Sequence, residues 1–205
     1  MQNNPQYIRT DKAIKQALIT LLKNKPFEKI TVQDILDETP VTRSTFYKHF
    51  HDKYEIAEKM QQEFFDSLII IRKEVYENPN QTPGLLKVSQ ENRELMDALL
   101  KIHTEHVNLR HAFANLAKDY YYAGTTGEHP EIEAEVFSAA ITAYQIALGN
   151  TDILEVGLMH DVFISILLRI LGIPEDEELR NLLKKKIVLP PQSSPKSNFP
   201  IKITL

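Results

Sequence analysis

The chain has no cysteine among its 205 residues, and this absence removes a class of chemistry. Without thiols the protein forms no disulfide bonds and offers no thiolate nucleophile. A composition of this kind suits a reducing compartment, so we expect the protein in the cytoplasm.

Long uninterrupted apolar runs are also missing. The most apolar stretch, residues 153–173, contains Glu155, His160, Asp161 and Arg169. Ionisable residues are costly inside a bilayer, so we expect no membrane span here. Residues 1–12 lack the apolar core and the small-residue cleavage pattern of a secretory signal, and we expect none at this point of the chain.

Signatures of catalysis are absent as well. The sequence contains no nucleophile elbow, no glycine-rich phosphate loop and no paired catalytic carboxylates of recognisable spacing. His103 and His106 lie three residues apart, as metal ligands on one helix face can, but no carboxylate or cysteine completes a ligand set. We therefore predict a protein that is not an enzyme and uses no metal or cofactor.

Helical periodicity runs through almost the whole chain, and no strand pattern or internal repeat accompanies it. Apolar residues from Ile14 to Leu22 recur at the three- and four-residue spacing of one helix face. Thr31 can cap a second, short helix, Thr42 a third at about 43–49, and Asp52 a fourth. Longer helical stretches follow, so the sequence predicts an all-α fold.

Charge is unevenly distributed along the chain. Residues 1–60 hold ten Lys or Arg against eight Asp or Glu, whereas the rest holds 14 basic and 20 acidic residues. A basic N-terminal part and an acidic remainder are expected when the N-terminal part of the chain binds a polyanion.

Residues 41–55, VTRSTFYKHFHDKYE, combine a polar composition with aromatic residues at helical spacing. Val41, Phe46 and Phe50 can pack on two preceding helices, which leaves the polar side chains facing outward. A short helix that follows another after a tight turn is the helix-turn-helix arrangement, whose second helix enters a major groove about 12 Å wide. Arginine suits guanine edges, and Thr, Tyr and Lys suit phosphates, so the pattern predicts DNA binding.

Residues 27–56, FEKITVQDILDETPVTRSTFYKHFHDKYEI, resemble the TetR family of bacterial transcriptional regulators. The resemblance lies in the Ile-Thr before the second helix, in V-T-x-x-T-F-Y-x-H-F across the third, and in the Asp-Lys that follows. With the first helix it covers residues 8 to about 58. The chain departs from the family at Thr39-Pro40, where Ala-Gly is usual, and this pair stiffens the turn.

The resemblance implies two sets of DNA-contacting residues. Those that position the phosphate backbone are Thr31, Thr42, Thr45, Tyr47, His49 and Lys53. Those that read bases are Arg43, Ser44 and Lys48. The alternative for each is a solvated surface residue, and for His49 it is also packing or capping.

The resemblance also implies a division of the chain. We expect a helix-turn-helix DNA-binding domain at 1–52, a helical effector-binding and dimerisation domain at 53–189, and a flexible tail at 190–205. In the family the last two long helices of each subunit pair across a two-fold axis, and here these are about 131–148 and 153–171. The alternative is that both helices simply form the core of the monomer.

The predicted function is that of a homodimeric transcriptional regulator bound to a double-stranded DNA operator. We expect a repressor that an unidentified small-molecule effector releases. The alternative keeps the fold but changes the class: a co-regulator or activator that acts mainly through protein partners, in sugar or dihydroxyacetone metabolism. Binding of operator-length DNA discriminates between the two.

Overall fold

The computed structural model describes residues 4–77, 92–124 and 128–150, together with residues 161–163, 165, 166 and 168. Up to residue 150 the described ranges form seven α-helices and one short 3-10 helix, the described residues from 161 to 168 are also helical, and no described residue lies in a strand. This confirms the predicted all-α fold.

In chain order the helices are α1 (Pro5–Leu21), the 3-10 helix (Phe27–Lys29), α2 (Val32–Asp37), α3 (Arg43–His49), α4 (Lys53–Glu77), α5 (Arg93–Leu99), α6 (Leu109–Gly124) and α7 (Pro130–Asn150). The predicted DNA-binding segment comprises the two short helices α2 and α3, which lie in the chain between the longer helices α1 and α4. The predicted third helix at 43–49 is confirmed, and the one predicted at 131–148 is α7. Most of the helix predicted at 153–171 lies outside the described residues, and those described at its end are helical.

The chain divides into two compact units. The first comprises residues 1–66 and 91–109, and the second residues 67–90 and 110–205. The first unit is larger than the predicted DNA-binding domain because the first half of α4 and the whole of α5 belong to it. The functional boundary at residue 52 stays a prediction.

Helix α5 is fastened to α1 within the first unit. The Lys23 ammonium lies 3.2 Å from the Glu94 carboxylate, and the Lys101 Nζ donates to the Leu22 carbonyl at 3.0 Å. Lys101 thereby satisfies one of the carbonyls left open at the end of α1.

One apolar core holds the first unit together. Every helix from α1 to α4 contributes side chains to this core, and so do Ile30 and Phe50, which follow the 3-10 helix and α3. The largest fully buried side chains of this part of the chain are Ile14, Leu18, Phe27, Ile30, Ile35, Phe46, Phe50, Ile56 and Met60. Burial of large apolar side chains is the main favourable term for such short helices. The core therefore decides where α2 and α3 lie.

Capping side chains set the helix starts, as the sequence predicts. Thr31 and Asp34 form a complete capping box at α2, and the Thr42 hydroxyl accepts from the Thr45 N–H at α3. Asp52 accepts from the second and third N–H groups of α4 at 2.8 and 2.9 Å. Glu55 reaches one residue further back than a capping box requires, to the His51 N–H at 2.6 Å.

No helix within the described ranges is both long and apolar enough to cross a membrane.

Replacing Phe46 with alanine tests the core beneath α3. The side chain is 0% exposed, so its loss leaves a cavity and should lower the free energy of unfolding by about 3–5 kcal/mol. Urea unfolding followed by circular dichroism measures the change. Lys48→Ala on the exposed side of the same helix should stay within about 0.5 kcal/mol. Equal effects of the two substitutions would show that α3 is not held by Phe46.

Candidate nucleic-acid interface

The connection between α2 and α3 is short and closes the end of α2. The Thr39 N–H donates to the Leu36 carbonyl at 3.2 Å, and the Thr39 hydroxyl donates to the Ile35 carbonyl at 3.2 Å. Pro40 then ends the helical path, because proline has no N–H to continue it. Thr39 thus satisfies the carbonyls of Ile35 and Leu36 in the last turn of α2.

Helix α3 is divided into a buried and an exposed face. Phe46 and the following Phe50 are 0% and 1% exposed, and Val41, which was predicted to pack with them, is half-buried. Tyr47 is 48% exposed, and its ring meets the Phe46 ring edge to face at 5.4 Å. The polar face is therefore directed away from the core that holds the helix.

The exposed face carries most of the residues predicted to contact DNA. Arg43, Ser44, Tyr47 and Lys48 are exposed on α3, Thr42 is exposed just before it, and Thr45 is half-buried. Contact of these residues with DNA stays a prediction. Their common location on the first two turns of one helix is what a reading helix requires.

Three hydroxyl groups cluster at the start of α3. The Thr42 Oγ1 lies 3.1 Å from the Ser44 Oγ and 2.9 Å from the Thr45 Oγ1. It also accepts from the Thr45 N–H at 3.3 Å. Hydroxyls can donate to phosphate oxygens, so the cluster suits contact with a nucleic-acid backbone.

Arg43 is held by α2, a contact that sequence reasoning missed. Its Nη2 donates to the Gln33 Oε1 at 2.6 Å, and the Gln33 Nε2 donates to the Asp37 Oδ1 at 2.7 Å. Gln33 and Asp37 are four residues apart on α2, and this spacing was the available signal. The relay orients the Arg43 guanidinium group across the two helices.

Thr31 uses its polar atoms inside α2. Its N–H donates to the Asp34 Oδ2 at 2.7 Å, and its hydroxyl accepts from the Asp34 N–H at 3.1 Å. The Lys25 ammonium lies 2.6 Å from the same carboxylate oxygen. The hydrogen bond from Lys25, followed by those from Thr31, lowers the pKa of Asp34 to about 2.

His49 lies in the interior and not on the predicted DNA-facing surface. The residue is 7% exposed, and its ring stacks on Tyr7 with the ring centroids 3.9 Å apart. The Nδ1 is 4.0 Å from the Asp11 Oδ1, and no hydrogen-bond partner is found for it among the described residues. Burial lowers the pKa of His49, and the Asp11 carboxylate opposes that shift. The packing alternative therefore describes this residue.

The Lys53 side chain is also turned inward, away from the surface on which a phosphate contact was predicted, and contact of this residue with DNA stays a prediction. The residue is 8% exposed. Its Nζ donates to the carbonyls of Phe27, Glu28 and Ile30 at 2.7, 3.0 and 2.8 Å. An ammonium group has three N–H donors, so none remains for a phosphate. Burial lowers the pKa of Lys53, and the nearby Glu28 carboxylate acts in the opposite direction.

No metal site appears in the described part of the chain, where no three His, Cys, Asp or Glu residues are arranged to hold an ion. His103 and His106, which were predicted to share a helix face, lie in the irregular connection between α5 and α6. Both are exposed there, as expected for solvated histidines.

Comparison with known proteins points to one family. The family model described as "Bacterial regulatory proteins, tetR family" matches residues 14–60, which run from α1 into α4. The uncharacterized HTH-type transcriptional regulator YxbF of Bacillus subtilis is 31% identical over 55 residues, which are 27% of this chain and 14% of that protein. The HTH-type dhaKLM operon transcriptional activator DhaS of Lactococcus lactis is 29% identical over 91 residues, 44% of this chain and 49% of DhaS. The chain thus covers half or less of these relatives.

The depressed pKa of Asp34 makes the free energy of unfolding depend on pH in the acidic range. A carboxylate whose pKa is about 2 when folded and about 3.8 when unfolded stabilises the fold above pH 4. This contribution should be lost as the pH falls from about 4 to about 2. The difference in urea midpoint between wild type and Asp34→Asn should shrink over that window. In the Lys25→Met variant, NMR titration should find the Asp34 pKa closer to 3.8; an unchanged pKa would contradict the assigned cause.

Proposed function

We propose that this protein, whose residues 14–60 match the tetR family of bacterial regulatory proteins, is a homodimeric, DNA-binding transcriptional regulator. In this proposal it is a repressor that a small-molecule effector releases from its operator. The observation that carries the proposal is the division of α3 into a buried aromatic face and an exposed polar face.

The exposed face of α3 provides the chemistry for reading a duplex. Arg43 offers the planar guanidinium group that matches the acceptor pair of a guanine in the major groove. The Tyr47 hydroxyl and the Lys48 ammonium lie on the same exposed side and suit phosphate oxygens, and Lys48 is also one of the predicted base readers. Base contacts would supply specificity, and phosphate contacts would supply register and most of the salt dependence.

The exposed surface of α7 supports the proposed dimer. Small or apolar residues are exposed on it at intervals of three or four residues, namely Ile132, Val136, Ala139, Ala143 and Ala147. The opposite face, with Ala134, Ser138 and Thr142, is buried. Small side chains let two helices approach closely, and a second copy would match two half-sites of a palindromic operator.

The second long helix of the proposed interface shows the same tendency where it is described. Val162 and Ile166, one helical turn apart, are each 48% exposed. Within the second unit this helix is joined to α7 by the stacked rings of Tyr144 and Phe163, whose centroids are 4.2 Å apart. Both helices of the predicted pair thus carry exposed apolar side chains.

A cavity of about 390 Å³ in the first unit is a place where an effector could bind. Glu58, Gln61, Gln62 and Phe65 of α4 line it together with His106. The Gln61 Oε1 is buried, and no hydrogen-bond partner is found for it within the described ranges. A small molecule with an N–H or O–H donor would satisfy this oxygen, and its contact with α4 could be transmitted to the DNA-binding helices.

The second candidate function is activation of transcription. It rests on the Lactococcus relative, whose name describes an activator of the dhaKLM operon. An activator of this kind would act through a protein partner, in sugar or dihydroxyacetone metabolism. The exposed basic face of α3 favours DNA binding in either case.

DNA binding can be measured by fluorescence anisotropy with duplexes from upstream of the gene, across a salt series. We expect a Kd below about 10⁻⁶ M, tighter than non-specific binding. Arg43→Ala should weaken specific binding by roughly 1–3 kcal/mol through loss of a base contact, and Tyr47→Ala should weaken it by loss of a phosphate contact. Gln16→Ala, an exposed position on α1, should bind like wild type. Weak, sequence-indifferent binding that neither variant changes, also after a genome-wide DNA selection, would favour the protein-partner function.

The dimer can be tested by sedimentation of Ala143→Glu. A carboxylate within the α7 stripe would be buried without a partner in the dimer, so the variant should sediment as a monomer. Glu131→Ala, on the same helix but outside the stripe, should remain dimeric. A monomeric wild type, or a variant that stays dimeric, would contradict the proposed interface.

A further inference from the structure

Two lysines of α4 attach that helix to the helix-turn-helix pair, at opposite ends of the pair. Lys53 donates to three carbonyls in the residues that lead into α2. Lys59 donates to the His49 carbonyl at 3.2 Å, at the last residue of α3. A body held at one point can turn about it, whereas attachment at two separate points defines an orientation.

The Lys53 attachment is the tighter of the two. Its ammonium group is buried, its three N–H donors have three acceptors, and the rings of Phe27 and Tyr54 lie 4.8 and 5.3 Å away. A lysine is rarely buried unless acceptors and aromatic rings surround its ammonium group in this way. The cluster is therefore a built feature of the first unit and not a chance surface contact.

The Lys53 bonds determine how the chain enters α2. The Ile30 carbonyl, which accepts from Lys53, and the Thr31 N–H, which donates to Asp34, belong to one planar peptide unit. This unit is thus held on one side by α4 and on the other by the capping box of α2. Movement of the first turn of α4 would displace α2 with it.

The Lys59 attachment acts at the other end of the pair. Its Nζ lies 3.0 Å from the Glu55 Oε1 and 4.5 Å from the centre of the Phe50 ring. The Glu55 carboxylate also accepts from the His51 N–H, so one side chain of α4 orders both the lysine and the chain that leaves α3. Lys59 is half-exposed and holds a single carbonyl, so its effect should be the smaller one.

We propose that Lys53 and Lys59 are positioning residues for DNA binding, which set the orientation of the reading helix α3 on α4 through bonds from ammonium to carbonyl. Neither side chain is assigned a contact with DNA. The proposal rests on the proposed function, because α3 must read DNA for its orientation to matter. These hydrogen bonds also give a route, besides the chain itself, by which a displacement of α4 would reach α3.

The first test compares three single variants at a temperature where circular dichroism shows all of them folded. Lys53→Met keeps the aliphatic stem and removes the donors, and it should lower operator affinity at least tenfold. The slope of log Kd against log salt should stay as in wild type, because no phosphate contact is lost. Lys48→Met should instead reduce that slope by about one. Lys59→Met should resemble Lys53→Met with a smaller loss.

A destabilised control separates positioning from stability. Phe113→Ala removes a buried side chain of α6 in the second unit, outside the core that positions α2 and α3, and it should lower the melting temperature while operator affinity stays close to wild type. If Lys53→Met loses no more affinity than Phe113→Ala, the positioning role is overturned. If its salt slope falls as that of Lys48→Met does, Lys53 contacts phosphate directly and the proposal is also overturned.

The second test uses the wild-type protein, so it does not depend on a variant that folds. Lysine acetylation followed by mass spectrometry should leave Lys53 slow to react both with and without operator DNA, whereas the exposed Lys48 should react in the absence of DNA and be protected in its presence. Rapid labelling of Lys53 in protein alone would overturn the attachment. Failure of wild type to bind any duplex specifically would overturn the proposed function instead, whatever the labelling shows.

Discussion

The burial of Phe46 and Phe50 is the interaction on which the first unit depends. Helix α3 has seven residues, and a helix of that length is not stable by itself in water. Its two aromatic anchors are almost completely buried, so the core supplies the stability that propensity and hydrogen bonds cannot. Because the anchors occupy one side of the helix, the polar side chains between them must face solvent.

Electrostatic contacts then refine what the apolar core positions. Lys53 and Lys59 donate to carbonyls before α2 and at the end of α3, and Lys101 does the same at the end of α1. Carbonyls at such positions have no helical partner, and an ammonium group satisfies them without requiring a further helix. The number of basic residues in residues 1–60 therefore overstates the number of basic side chains that are free to bind DNA.

Whether the sequence predicts a contact depends on how far apart in the chain its partners lie. Capping by Thr31 and Thr42 is local, since each hydroxyl meets an N–H three residues later, and the sequence predicts it. Burial of Phe46 follows from helical spacing in the same way. The inward turn of Lys53 depends on carbonyls more than twenty residues earlier in the chain, and no local pattern carries that information.

The burial of His49 likewise depends on a residue that is distant in the chain. Its position next to Phe50 gives no indication that Tyr7, on another helix, stacks on it. The sequence by itself determined the helical class, the bounds of α3, the capping residues and the likeness of residues 14–60 to the tetR family, because these depend on contacts between near neighbours or on a continuous motif. Only the tertiary structure decided which of the basic side chains point outward, because burial of a charge requires acceptors that distant parts of the chain bring together.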